Sequence, residues 1–155
     1  MTSDKFIRDY IDKGLLKRDR IGFDQMNKVI ARAKKDLEAA KRIIEIDPPL
    51  AYNCAYDAML HSARAFVFMK GLRPTTNYQH KTVVEVTKHF LGDDYKVLVE
   101  KFDRMRKNRN LIMYEPWKVN ISDTDAQNAL KSAGDFIELI IELIKKENPQ
   151  IEFKF

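Results

Sequence analysis

Apolar residues recur every three or four positions along most of the chain, which is the spacing of helices that bury one face. A long helix is predicted over residues 23–46. Its apolar seam consists of Phe23, Met26, Ile30, Ala33, Leu37, Ala40 and Ile44. Pro48 and Pro49 end this helix, because proline lacks the amide hydrogen and restricts the residue before it.

The next segment, residues 49–70, is almost free of charge. Between Ala51 and Met69 only Asp57 and Arg64 carry a formal charge. Small residues also recur along it at helical spacing. They are Ala51, Ala55, Ala58, Ser62 and Ala65. A helix that is apolar nearly all round is a central helix, and its small residues let a neighbouring backbone approach closely.

Further helices are predicted over residues 4–13, 78–90, 95–115 and 122–146, with a turn at residues 72–77. Together these elements predict an all-α fold, an antiparallel up-and-down bundle of about five helices in a single domain over residues 1–155. Residues 1–21 are expected to form a short helix and a linker. Residues 148–155 are expected to form a C-terminal tail or an interface segment.

The composition narrows the possible folds and functions. Gly and Pro number 5 each, and no Asn-Gly or Asp-Gly pair is present, which argues against a sandwich, a barrel or a glycine-looped nucleotide fold. The single cysteine, Cys54, excludes a disulfide framework and a thiolate zinc site within one chain. No two histidines have metal-ligand spacing, so we expect no metal and no cofactor.

No apolar run is long enough to span a bilayer, and the amino terminus is polar, so we expect no membrane association and a cytoplasmic protein. The formal net charge of +5 favours nucleic acid only weakly. Trp117, which follows a proline, is expected to pack at the end of the bundle. His61, set among alanines and aromatics, is expected to be a hydrogen-bonded histidine of the core.

The stretch at residues 101–109 carries five cations and one acid. Within it, Arg109 occupies a position that the apolar seam of its helix reserves for a hydrophobic side chain. Because a buried guanidinium is expensive without a partner, Arg109 requires a carboxylate, a second subunit or an anionic ligand such as phosphate. Asp57 and Glu138 are the candidate carboxylates, and an arginine that reaches solvent from the end of the seam is the other alternative.

Arg109 and Asn110 lie late in a basic helix, and an aromatic residue precedes the helix break. This arrangement resembles the signature of the HEPN superfamily, whose motif is an arginine followed, after four to six residues, by a histidine. The flanking segments are similar too. They are residues 51–59, 70–74, 80–85 and 103–106. The resemblance covers about residues 22–146.

The resemblance implies an antiparallel, usually dimeric helical bundle, and often a metal-independent ribonuclease of a toxin–antitoxin or defence system. By position, Arg109 matches the motif arginine, Asn110 the polar residue after it, and Tyr114 stands where the histidine would be. These three are the predicted catalytic residues. Tyrosine is a poor base at neutral pH, since its ordinary pKa is about 10.

The predicted RNA- or phosphate-binding residues are Arg104, Arg106, Lys107 and His80. Residues 109 and 114 lie about 140° apart around a straight helix, so the two would meet only across a two-fold axis, which predicts a homodimer. Three alternatives stay open. The first is an endoribonuclease, and the second is a non-catalytic module that binds RNA, a nucleotide, an antitoxin or a nucleotidyltransferase partner. The third is a structural bundle whose charged face is simply exposed to solvent.

Overall fold

The computed structural model describes residues 2–75 and 79–155. Six α-helices lie in these residues. They are α1 (Thr2–Asp12), α2 (Phe23–Ile43), α3 (Pro48–Met69), α4 (Gln79–Leu91), α5 (Lys96–Tyr114) and α6 (Asp123–Glu147). Short 3₁₀ turns precede and follow α5, at Asp93–Tyr95 and Pro116–Lys118. The predicted all-α bundle is confirmed, with five longer helices and the short α1. The start expected at Tyr78 lies outside the described residues.

Helix α3 occupies the centre of the bundle and packs against α2, α4, α5 and α6. Its small residues have no exposed surface, as expected of a central helix. They are Ala51, Ala55, Ala58, Ser62 and Ala65. Because these side chains are short, the backbones of the neighbouring helices come close along this seam. The main core therefore forms around α3, with Phe102 from α5 and Phe136 from α6 among its fully buried members.

Helix α2 ends three residues earlier than the apolar pattern predicts, which leaves residues 44–47 as a turn before α3. Helix α2 ends at Ile43, and the Asp47 carboxylate then accepts a hydrogen bond from the Leu50 amide at 3.1 Å. Asp47 thus caps α3, and Pro48 follows in its first turn, where the missing amide hydrogen costs nothing. The prolines therefore begin the central helix, and the expectation that they end α2 is wrong, because α2 has already ended at Ile43.

A small antiparallel strand pair was not predicted. Residues Leu16–Arg18 form β1 and pair with β2, Leu72–Pro74, in regions expected to be a linker and a turn. Gly14 and Gly71 have positive φ angles, 74° and 73°, and reverse the chain just before each strand. The residues expected to continue this turn, at positions 76 and 77, lie outside the described part of the chain.

The C-terminal segment lies along α2. The side-chain amide of Asn27 donates to the Lys154 carbonyl at 2.8 Å and accepts from the Lys154 amide at 2.7 Å. The Lys34 ammonium lies 4.0 Å from the centre of the Phe155 ring, and Ile151 and Phe153 pack against the main core. Among the described helices, none is long and apolar enough to cross a membrane.

We expect Ala55→Leu to lower the free energy of unfolding by about 1–3 kcal/mol, because the fully buried seam of α3 has no room for three further carbons. Urea denaturation checks this. Ala39→Leu adds the same group on the exposed face of α2 and is the matched control, expected to leave stability almost unchanged. Equal stability of both variants would show that the close approach along α3 is absent.

Candidate functional site

One face of α3 is polar within an otherwise buried helix. Asp57, His61 and Arg64 are spaced four and three residues apart, so they share a face, and all three are half-buried. This strip contains Asp57 and Arg64, the two formally charged residues between Ala51 and Met69. Side chains from α2, α4 and α5 converge on it.

Arg109 is half-buried on α5 and lies close enough for its charge to act on Asp57 of this strip. Within residues 2–75 and 79–155 it forms no hydrogen bond and no ion pair, so neither Asp57 nor Glu138 neutralises it by direct contact. Burial raises the pKa of the Asp57 carboxyl, and the positive charge of Arg109 is the largest influence that opposes the rise. The guanidinium is therefore near a carboxylate while its hydrogen-bond donors remain available to an anion.

His80, at the start of α4, belongs to the same cluster. Its Nδ1 lies 2.9 Å from the Tyr56 hydroxyl, and the two rings stack with centroids 5.8 Å apart. Burial lowers the pKa of His80, and the charges of Arg109, Arg64 and Arg106 lower it further, in that order. The ring is therefore neutral at pH 7.

The Tyr56 hydroxyl determines which nitrogen of His80 carries the hydrogen. Tyr56 is fully buried, and burial raises its pKa, so the phenol keeps its proton. Because a phenol is a stronger proton donor than a neutral imidazole, we assign the O–H group of Tyr56 as donor to Nδ1. His80 then presents an Nε2–H donor among three arginines, which suits a phosphate oxygen.

The other predicted phosphate-binding cations are divided around α5. Arg106 and Lys107 pair with Asp103 at 2.9 and 3.3 Å. Burial would raise the pKa of Asp103, but the hydrogen bonds and charges of Arg106 and Lys107 outweigh it and lower that pKa. Arg104 is exposed and lies about 140° around the helix from Arg109, so it belongs to a different face.

A groove of about 550 Å³ between α4 and α5 joins several of these cations. Its basic lining residues are Lys81, Lys88, Arg104, Arg106 and Lys107, and its acidic ones are Glu85, Glu100 and Asp103. The groove is a mixed surface with an excess of positive charge. Such a lining suits a polyanion that crosses from α4 to α5.

The remaining two predicted catalytic residues lie at the exposed end of α5. Asn110 is exposed, and the Tyr114 side chain is 71% exposed. Within one chain Tyr114 and Arg109 point to different sides of α5, as their spacing requires. Trp117 is 76% exposed, so the expectation that it packs at the end of the bundle is wrong. In the part of the chain that the structure describes, no neighbouring element covers this turn.

His61 also departs from expectation, because it is not a core histidine. Its side chain is 34% exposed, and its Nδ1 lies 2.7 Å from the Asp36 carboxylate of α2. Asp36 is held in turn by Arg32, whose guanidinium contacts it at 2.9 Å. Nothing in the local sequence signals this contact, since Asp36 and His61 are 25 positions apart on different helices.

The described residues contain no group of three or more His, Cys, Asp or Glu side chains that could hold a metal ion. The family model of the HEPN domain matches residues 26–145, which include every residue of this cluster. The chain belongs to the HEPN domain family. No curated protein matches it significantly. Membership indicates a function related to RNA or to nucleotides. The strip on α3, together with Arg109 and His80, is the candidate site, and we call this set the cationic strip.

We expect Arg109→Gln to raise the pKa of His80, because Arg109 is the foremost of the three cations that disfavour a protonated ring. An NMR titration of the histidine side chains checks this. His89 is the internal control, since burial alone lowers its pKa and no arginine contributes. An unchanged His80 titration would show that the two side chains do not share a site.

The same shift predicts how stability depends on pH. Folded His80 binds its proton more weakly than the unfolded chain, whose histidine pKa is about 6.5. The contribution of this group to stability is therefore fully present above about pH 6.5 and is lost as the pH falls toward the folded pKa.

Proposed function

We propose that this HEPN protein acts on RNA as a metal-independent endoribonuclease, of the kind that serves as a toxin in a toxin–antitoxin or defence system. The observation that supports this proposal is the half-buried Arg109 guanidinium, which has no direct partner among the described residues and faces a neutral histidine that other arginines surround. Such a set of donors suits an anion. The cytosolic location that a lone cysteine favours stays a prediction.

Metal-free RNA cleavage proceeds by attack of a ribose 2′-hydroxyl on the adjacent phosphate, and negative charge builds up on the phosphorus oxygens. In our proposal Arg109 stabilises that charge, and His80 donates a hydrogen bond through Nε2. Asn110 orients the phosphate, and Tyr114 acts as a weak acid. Arg104, Arg106 and Lys107 hold the RNA backbone along the groove between α4 and α5.

A second function, a non-catalytic HEPN module, is favoured by the tyrosine at position 114. A histidine there would exchange protons near neutral pH, whereas tyrosine is a poor base. Such a module would bind RNA or a nucleotide through Arg109, or dock an antitoxin or a nucleotidyltransferase. The cationic strip supports either function, so RNA cleavage and RNA binding need separate measurements.

We also propose that the protein is a homodimer joined through the end of α5. Three large side chains lie close in sequence there and are exposed. Met113 is 52%, Tyr114 71% and Trp117 76% exposed. A contact with a second copy at this end would cover this apolar surface. It would also bring Tyr114 of one protomer toward Arg109 of its partner, which the spacing of these residues forbids within one chain.

We expect Arg109→Ala to reduce the rate of RNA cleavage in the presence of EDTA by about 10²–10³-fold, the usual effect of removing one donor to a developing oxyanion. We also expect it to lower the slope of log affinity against log salt by about 0.7, since one phosphate contact is lost. Arg20→Ala removes an exposed arginine between β1 and α2 and is the matched control. RNA binding that depends on Arg109 without any cleavage would select the non-catalytic module. Wild-type behaviour of Arg109→Ala in both assays would contradict both functions.

We expect Trp117→Glu to shift the dimer toward monomer, because a carboxylate is expensive to bury in an apolar interface. Light scattering coupled to size exclusion measures the mass directly. Ile46→Glu, at an 82% exposed site between α2 and α3, is the matched control and should leave the dimer intact. A wild-type protein that elutes at 18.2 kDa would refute the dimer.

A further inference from the structure

The Asp36–His61 pair is an unassigned acid–base pair at the edge of the cationic strip. The His61 ring is held at 2.7 Å by one oxygen of the Asp36 carboxylate. The other oxygen accepts a hydrogen bond from Arg32 Nε at 3.0 Å and forms an ion pair with the terminal nitrogen of the same guanidinium at 2.9 Å. Asp36 is only 14% exposed, so both of its oxygens are firmly positioned. Solvent still reaches the His61 side chain, which is 34% exposed.

This contact determines the tautomer of His61. An ionised carboxylate only accepts hydrogen bonds, so the hydrogen of the neutral ring is on Nδ1. The free nitrogen, Nε2, then carries a lone pair and can accept a proton. His80 has the opposite arrangement, because Tyr56 donates to its Nδ1 and leaves a hydrogen on Nε2. The strip therefore combines one histidine suited to take a proton and one suited to donate a hydrogen bond.

His61 belongs electrostatically to the same site as Arg109. Burial raises the pKa of Asp57, and after it come the charges of Arg109, Asp36 and His61, so this carboxyl senses all three groups. His61 is also among the groups that lower the pKa of His80, after burial and the three arginines. Asp57 lies one helical turn before His61 on the same face of α3. An RNA phosphate at Arg109 would therefore place its ribose beside this strip.

We propose that His61 is the general base of the site and that Asp36 is its positioning residue, an inference that rests on the proposed endoribonuclease function. His61 Nε2 takes the proton of the ribose 2′-hydroxyl as the 2′ oxygen forms its bond to phosphorus. The bond from phosphorus to the 5′ oxygen breaks, and that oxygen takes a proton from the Tyr114 hydroxyl, the weak acid of the proposed function. The phenolate so formed takes up the proton that His61 releases. The products are a 2′,3′-cyclic phosphate and a 5′-hydroxyl.

The proposal explains how a HEPN chain with tyrosine at position 114 could still cleave RNA. The base comes from α3 and its orientation from α2. Neither helix contains the motif. Arg109 keeps the role of stabilising negative charge, and His80 serves as a donor because its ring is neutral and its Nδ1 is occupied.

The experiment measures single-turnover cleavage of RNA in EDTA, with the ends of the products identified, alongside RNA affinity. We expect His61→Ala and Asp36→Asn each to slow cleavage by about 10²–10⁴-fold without a change in RNA affinity. The asparagine amide would donate to Nδ1 and move the ring hydrogen to Nε2, as the corresponding change does in Ser-His-Asp triads. Nitrogen NMR of the His61 ring should report that change of tautomer independently of activity.

Added imidazole separates a catalytic role from a structural one. It should restore cleavage to His61→Ala, whose half-exposed site admits a small base, and should not restore it to Arg109→Ala. The rising limb of the pH–rate profile should vanish in His61→Ala. The charged and titratable groups around His61 are Asp36 and Arg32 on α2, Asp57 on α3, His80 on α4 and, beyond Asp57, Arg109 on α5.

The controls distinguish the possible failures. His89→Gln changes a histidine that stacks on Phe6, away from the strip, and should cleave like the wild type. His61→Gln keeps a side chain of similar size and should be as slow as His61→Ala. Normal cleavage by His61→Ala or by His61→Gln, with cleavage still lost in Arg109→Ala, would overturn this inference and leave the endoribonuclease proposal intact. A wild-type protein that binds RNA through Arg109 without cleaving it would overturn both.

Discussion

The close packing of neighbouring helices against the small residues of α3 is the constraint on which the rest of the structure depends. Ala51, Ala55, Ala58 and Ala65 have no exposed surface, so little of α3 can carry a polar group. The charged side chains of this helix, Asp57 and Arg64, therefore lie with His61 on one face. Burial on that face is incomplete, and charges from other helices act there. Hydrophobic packing thus determines where on α3 the charged side chains of the candidate site can lie.

The strip carries more positive than negative charge, and this imbalance is costly because the side chains are partly buried. Three arginines, Arg64, Arg106 and Arg109, act on a histidine that burial already disfavours in its charged form. Asp57 interacts with Arg109 only through its charge and without direct contact, whereas Asp103 forms ion pairs with both Arg106 and Lys107. A protein selected for stability alone would pair a half-buried guanidinium or replace it with an apolar side chain, because an unpaired buried charge is costly. The missing partner is explained if the site is completed by an anion, because sites built for ligands commonly sacrifice some stability.

Most of the fold could be predicted from the sequence, since helical periodicity and the low charge of residues 51–69 are properties of contiguous segments. The strand pair could not, because three residues are too few to show an alternating pattern and the partner of Leu16–Arg18 lies more than fifty residues away. In the site, Arg109 was recognisable as a charge on an apolar seam. The contact of His61 with Asp36 could not be predicted. The alanines around His61 indicate only that its own helix is buried, and they carry no information about the polar residues of α2 that contact it. Trp117 was misassigned for a similar reason, since exposure at the end of a helix depends on whether another element covers it.

The two half-buried histidines show why residue type alone does not define a role in such a site. His61 and His80 lie close enough to influence each other, and both are bonded through Nδ1. A carboxylate on one and a phenol on the other place the remaining hydrogen on opposite nitrogens, so one ring presents a lone pair and the other presents a donor. Acid–base chemistry therefore depends on the partner that each ring meets in the folded chain. A sequence motif within one helix identifies the arginine. The groups that exchange protons with the substrate can lie on other helices, which the motif does not include.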